Sequence, residues 1–329
     1  MKEKISLEIG SGGKLMRDFI DEHIISNFNN PYLKDLSDSA HLPKDIAFTT
    51  DSYVVDPIFF PGGDIGTLCV NGTVNDLIVS GAKPKFLSLA LILEEGLETE
   101  SLRKILYSIK TSAEQADVLI TTGDTKVVRR GQGDKIFINT AGVGNIIARP
   151  SLINIKPGDK VLVTGTLGEH SLAVMLARGE FGLESEAESD CAPLNFLLPC
   201  WKKGAMWMRD ITRGGLATVL SELAEKIPYS IFIKEENIPL SQPVRGATEL
   251  LGIDPLYLAC EGRALIVAPA DKSAKILSEI KKDKLGRQAA VIGQVDNKIG
   301  KPGELLLETA SGGLRLLEPL TSELLPRIC

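Results

Sequence analysis

The chain has 329 residues, 43% hydrophobic and 24% charged, long enough to bury the cores of two globular domains. A net charge of −6 excludes the electrostatic footprint of a nucleic-acid-binding protein, so no nucleic acid is expected, and the basic run Lys281-Lys282-Asp283-Lys284 reads as a solvated helix face. No apolar run approaches the roughly 20 residues that span a bilayer, so no membrane is expected, and cysteines that form no CxxC pair point to reduced thiols and a cytoplasmic address.

In chain order, Gly10-Ser11-Gly12-Gly13 opens onto apolar residues at helical spacing, Leu15, Phe19, Ile20, Ile24 and Phe28, with His23 structural. Backbone amides of Gly10, Gly12 and Gly13 in that setting can cradle phosphate, although the P-loop spacing and lysine are absent. The polar stretch 29–44 reads as a loop that frees the first helix. The alternating segment from Ile46 reads as a strand ending on Asp51, and a double-glycine turn delivers Asp64. The next helix carries Asn71 and Asn75 on one face with Asp76 beside them, polar groups that need partners when buried. A strand (86–93), a helix (about 99–116) and a strand (118–122) lead to Gly123-Asp124-Thr125-Lys126, and a further strand (136–143) closes the first domain.

The second half opens with strand Lys160–Gly165 and a helix, the grammar of an α/β domain. An acidic surface loop follows (182–190). A strand then runs into Asp210, with Thr212, Arg213 and Gly214 after it, then further helices and strands, and the segment 257–262 that carries Glu261. The organisation expected is a glycine-rich loop and first helix (1–36), an N-terminal α/β domain (37–150), a C-terminal α/β domain (151–313) and a mobile tail (314–329).

That tail ends in Pro326-Arg327-Ile328-Cys329, a nucleophile on a mobile end that can visit more than one site. Its own α-carboxylate raises the thiol pKa, and Arg327 is the local counter-charge. Asp51, Asp64, Asp124 and Asp210 recur beside small or hydroxylated residues at strand ends or glycine turns. Oxygen-only ligands of that kind suit Mg2+ held through phosphate, whereas a single aspartate in such a place is more often a turn or helix cap.

The segments TTDSYVVDPIFFPGGDIG, GTVNDL, GDTKVV, FINTAG, MRDITRGG, ACEG and the closing PRIC together resemble the hydrogenase maturation factor HypE family, over nearly the whole chain. The aspartate motifs alone indicate only the wider superfamily of aminoimidazole ribonucleotide synthetase, selenophosphate synthetase and thiamine-phosphate kinase. PRIC narrows it, and no cysteine stands in the N-terminal glycine-rich region, where a selenophosphate synthetase would carry one. Ile211 stands where many relatives carry proline.

The resemblance implies two α/β domains of an ATP-dependent synthetase-like fold, the N-terminal ones pairing in a homodimer, with ATP and Mg2+ in a cleft. It implies that a carbamoyltransferase loads Cys329, that ATP drives dehydration of the carbamoyl group to a thiocyanate, and that the cyano group passes to iron on further maturation proteins. In that reading Asp51, Asp64, Asp124 and Asp210 hold Mg2+. Gly10, Gly12, Gly13, Asn75, Asp76, Thr125, Asn139, Thr140, Thr212, Arg213 and Gly214 bind nucleotide. Lys126 stabilises the developing charge, and Glu261 removes N–H protons. The alternatives are a small-molecule synthetase or kinase of the same superfamily, which has no use for PRIC, and a nucleotide-regulated carrier without catalysis.

Overall fold

The computed structural model describes residues 5–10, 14–28, 30–33, 36–179, 182, 185–320 and 327–329. The first part of the chain comprises α1 (Lys14–Phe19), β1 (Ala40–Leu42), β2 (Ile46–Tyr53), β3 (Phe59–Phe60), β4 (Gly63–Asp64), α2 (Ile65–Val79), β5 (Ala82–Glu94), α3 (Thr99–Gln115), β6 (Leu119–Val128) and β7 (Ile136–Ile146). The second comprises β8 (Lys160–Val163), α4 (Glu169–Arg178), α5 (Leu198–Lys202), β9 (Trp207–Asp210), α6 (Gly215–Lys226), β10 (Ser230–Lys234), α7 (Gln242–Leu251), β11 (Ala264–Ala268), α8 (Ala270–Ile280), β12 (Ala290–Asp296), β13 (Leu305–Glu308) and β14 (Leu314–Leu317). This is the two-domain α/β arrangement expected from the sequence. No helix among the described residues is long and apolar enough to cross a membrane.

Period-two patterning builds the first sheet, ordered β1-β2-β7-β5-β6. In β2, Ala47, Thr49 and Tyr53 are buried while Phe48 and Thr50 are exposed; in β5, Leu87 and Leu91 are buried while Phe86 and Ile92 are exposed. One face is therefore core, against α2 and α3, and the other is open. The parallel β5–β6 pair needs a crossover, which α3 supplies by burying Ile105, Ile109 and Ala113. Edge strand β6 is exposed along nearly its whole length.

The second sheet is ordered β14-β13-β10-β12-β8-β11-β9 and is antiparallel except for β10–β13. Helix α2 joins the two sheets. It is buried all round, as a helix with apolar residues on every side must be, with only Thr67 and Asp76 less than fully covered. Its Ile78 carbonyl accepts from the Trp201 indole at 2.9 Å, and one apolar core runs from Leu68 and Val74 through Leu162, Met208 and Ile266 to Ile328.

Three expectations need correction. Asp51 and Asp124 lie inside β2 and β6 rather than at strand ends, because the backbone pairing of each strand continues past them, β2 with β7 as far as Tyr53 and β6 with β5 as far as Val128. Residues 314–317 belong to the second sheet as β14, paired with β13, so the tail cannot begin at 314. The first helix stops at Phe19 and continues as a π-helical turn, Ile20–Ile25, with Leu15, Ile24 and Phe28 exposed; it is tied to α6 by Arg17–Glu225 at 2.9 Å rather than standing free.

Candidate active site between the two sheets

Three elements converge at the inner end of α2. Strand β9 stops on Asp210, α2 carries Asp76 near its last turn, and the segment before β1 brings in Asp38; one carboxylate oxygen from each lies within 4.8 Å of the others. Thr49 Oγ1 on β2 lies 2.9 Å from Asp76 Oδ2 and 2.8 Å from the Asp38 carbonyl, fixing two members. Arg209 Nε stands 3.1 Å from Asp38 and its other arm 2.8 Å from Glu222.

One arginine does not neutralise this crowd. Burial raises the Asp76 carboxyl well above the usual range, and Asp51, Asp210 and Asp38 add to it. Burial also raises Asp38 despite Arg209, and pushes Asp210 up to about 8 with Asp38 beside it. Buried oxygens this close, short of positive charge, fit a hard divalent cation such as Mg2+. Asp38 was not among the residues expected from the sequence. It sits in the polar stretch read as a loop, and only the fold shows that β1 pairs with β2 and draws it in.

Residues 327–329 dock beside this cluster. The Cys329 carbonyl accepts from Val54 N at 3.2 Å and the Arg327 carbonyl from Asp56 N at 3.3 Å, while Arg327 Nε donates to the Val54 carbonyl at 2.9 Å. The tail thus adds to the chain beyond β2 as a short strand-like segment. Ile328 is buried in the shared core, and its carbonyl meets His170 Nε2 at 2.7 Å. A carbonyl only accepts, so Nε2 carries the hydrogen and Nδ1 accepts from Ser189 Oγ at 2.8 Å. Arg178 closes the set on the Arg327 carbonyl at 3.0 Å.

Burial, rather than the residue's own carboxylate, pushes the Cys329 thiol up to about 12; Arg213 pulls it back, and Glu261, Asp51 and Asp210 add to the rise. The counter-charge is therefore Arg213. Arg327 is occupied with Val54 and with an ion pair to Asp134. Glu261 faces the same space from the segment before β11, its carboxyl held well above the usual range by burial, with Asp210 and Asp190 adding. Its Oε1 is buried and without a hydrogen-bond partner among the described residues.

Residues 37–146 match the family model for the AIR synthase related protein, N-terminal domain, and residues 156–301 the model for its C-terminal domain. The carbamoyl dehydratase HypE of Rhodobacter capsulatus is 44% identical over 99% of this chain and 98% of its own. The chain belongs to the HypE family of AIR synthase related proteins. A solved HypE in complex with ATP superposes with a TM-score of 0.83 at 42% identity, covering 99% of this chain and 100% of that one. The HypE of a HypE–HypF complex superposes at 0.86 with 42% identity, over 92% and 99%.

Against that HypE background, the residues expected from the sequence separate into groups. Asp51, Asp76, Asp210, Glu261, Arg213 and Cys329 act on one another electrostatically around the cluster. Thr212 and Gly214 stand beside them, Gly214 opening α6 in the left-handed region that favours glycine, and Arg213 reaches the Gly10 carbonyl at 3.0 Å. Gly12 and Gly13 lie outside the described residues.

Asp64 is placed elsewhere. It caps α2, accepting from Gly66 N at 2.7 Å, Thr67 N at 2.9 Å and Ser108 Oγ at 2.5 Å, the helix-cap alternative for an aspartate in a glycine turn. Asn75 spends its amide on the Ala192 and Glu261 carbonyls and on Leu194 N, and Thr140 is buried against Thr73 and the Cys69 carbonyl; both brace the protein rather than face a nucleotide. Asn139 lies on the open sheet face, bonded to the Asp51 carbonyl at 2.8 Å. Asp124, Thr125 and Lys126 sit on exposed β6, with Lys126 Nζ 2.7 Å from Asp124 and its hydrogen bond holding that carboxyl below the usual range. From β2 to β6 is three steps across the sheet, about 14 Å at the usual strand spacing, so one chain does not bring Asp124 to the cluster.

Ile211 shows what replaces the proline of many relatives. Its N–H donates to the Arg263 carbonyl at 3.0 Å, a bond proline cannot make.

Proposed function

We propose that the chain uses ATP to dehydrate an S-carbamoyl group on Cys329 to a thiocyanate, the source of a cyanide ligand for the iron of a [NiFe]-hydrogenase. The observation that carries this is the docking of Cys329, held by its backbone, beside a carboxylate cluster suited to Mg2+ and within electrostatic reach of Glu261. A diffusible substrate would not require a thiol delivered there by a dedicated set of tail contacts.

When bound, Mg-ATP supplies a phosphoryl group that lets the amide oxygen leave as phosphate, with the cation offsetting phosphate charge. Asp38, Asp76 and Asp210, with Asp51 beside them, would hold the metal. Asp64 is committed to capping α2. Glu261, its carboxyl held well above the usual range by burial and its Oε1 unpartnered among the described residues, is suited to take an N–H proton from the carbamoyl nitrogen. The amide loses one oxygen and two hydrogens, and the sulfur–carbon bond stays intact.

The working unit is a homodimer. The open sheet face exposes Phe48, Phe86 and Ile92, and β6 exposes Leu119 and Val127, apolar area that a second copy would cover. A second protomer on that face is also the route by which Asp124 and Lys126 would reach a nucleotide. A carbamoyltransferase loads Cys329, in keeping with a HypE relative crystallised as a complex with HypF, and an iron-carrying scaffold receives the cyano group. The free thiols suit the reducing cytoplasm. Intact-protein mass after incubation with the carbamoyltransferase, its substrates and ATP tests the reading: a carbamoyl adduct must appear on Cys329 and then lose one water only when ATP is present. An adduct that keeps its water with ATP would reduce the chain to a carrier.

A further inference from the structure

Glu261 is held at its backbone. Asp190 Oδ1 accepts from the Glu261 amide at 3.1 Å, and Oδ2 lies 3.4 Å from the Gly262 amide. On the other side of the peptide, Asn75 Nδ2 donates to the Glu261 carbonyl at 3.1 Å. Asp190 is in turn oriented by Arg263, whose Nε lies 3.6 Å from Oδ2 and 2.9 Å from the Thr166 carbonyl. The Asp190 side chain is 1% exposed. A carboxylate buried that far from water is costly unless its lone pairs are used, and here two backbone amides and a guanidinium use them.

The approach is close enough to forbid a side chain. A Cβ at Gly262 would lie 1.9 Å from the Asp190 carbonyl oxygen, so the 190–192 segment and the 261–263 segment touch backbone to backbone. Asn75 bridges the same two segments from α2, donating to the Ala192 and Glu261 carbonyls. The Glu261 side chain makes the contrast. Its backbone is fixed on both sides while its Oε1 is buried with no hydrogen-bond partner among the described residues, the condition of a group kept for something else.

We propose that Asp190 is a positioning residue for the dehydration: by holding the Glu261 and Gly262 amides, with Arg263 as its own anchor, it sets where the Glu261 carboxylate stands relative to the group on Cys329. The proposal rests on the reading of Glu261 as the proton acceptor. A displacement of the order of 1 Å at a reacting group costs about a hundredfold in rate, so loosening this brace acts on the chemical step and not on nucleotide affinity.

The test is single-turnover dehydration of tail-carbamoylated protein, followed by intact mass, for Asp190→Asn, Glu261→Gln and the double variant, with the KM for Mg-ATP measured in each. The expected result is a rate at saturating ATP about ten- to a hundredfold lower for D190N, an unchanged KM, and a double variant no slower than E261Q alone. A D190N protein that dehydrates at the full rate while E261Q is slow overturns the proposal and leaves Glu261 standing. An E261Q protein at the full rate removes the reading beneath it. Losses that multiply in the double variant, or a KM that rises with D190N, mean that Asp190 is structural only. If D190N does not fold, Arg263→Lys carries the same comparison, because it frees the Asp190 carboxylate to turn while leaving both amides an acceptor; it must slow wild-type Glu261 and leave E261Q unaffected.

Discussion

His170 is the contact through which docking of the tail can be weighed. His170→Phe keeps an aromatic ring against Phe60, whose ring meets His170 edge-on at a centroid distance of 5.3 Å, and removes the donor to the Ile328 carbonyl. Ile328 is buried, so its carbonyl has no water to turn to, and an orphaned buried acceptor costs about 1–3 kcal/mol. The cost falls on the docked tail alone, because an undocked Ile328 carbonyl is hydrated. The docking equilibrium should therefore fall by roughly 5- to 150-fold. Hydrogen exchange at the Val54 and Asp56 amides, which the tail carbonyls cover at 3.2 and 3.3 Å, reads the docked fraction directly, and dehydration of a preloaded Cys329 reads its consequence. Both should change while ATP affinity does not. Exchange at those two amides equal to wild type, with an undiminished rate, would refute the assignment of His170 as the latch.

The same residue gives a pH dependence. Burial holds His170 below its ordinary value near 6.5, so the unfolded chain binds more protons than the folded one; the contribution of this residue to stability is fully present above that value and is lost as pH falls below it, a trend that His170→Phe should remove from urea unfolding. Asp76→Asn removes one of the crowded carboxylates, so the ligand-free protein should melt a few degrees higher while the gain on adding Mg-ATP is lost; a variant still stabilised by Mg-ATP would exclude Asp76 as a ligand. Phe86→Lys, on the open face of the first sheet, should convert a dimer to a monomer in sedimentation at micromolar concentration, and a dimer that survives it would move the interface elsewhere. Gly262→Ala forces a Cβ against the Asp190 carbonyl and should cost about 1–3 kcal/mol in urea unfolding; a neutral result would mean that the two segments are not locked together.

The sequence alone carried the fold class, because periodicity is local: alternation marks β2 and β5, and helical spacing marks α3. It also carried most of the chemistry, since glycines and acids at the ends of apolar runs advertise an oxygen-rich site, and PRIC set this family apart from its superfamily. Four aspartates with similar neighbours nevertheless have different places. Asp210 ends β9 in the cluster, Asp51 stands beside it on β2, Asp64 caps a helix, and Asp124 is exposed on the far edge of the sheet. Local sequence cannot separate them, because what divides a metal ligand from a cap is whether three distant strands and helices bring other oxygens within a few ångströms. The same holds for Asp38, hidden in a polar stretch until β1 paired with β2, and for Asn75, whose amide is consumed by backbone more than a hundred residues away. Residue type fixed what each side chain is able to do; long-range packing, which alone decides burial and proximity, fixed which of them meet Cys329.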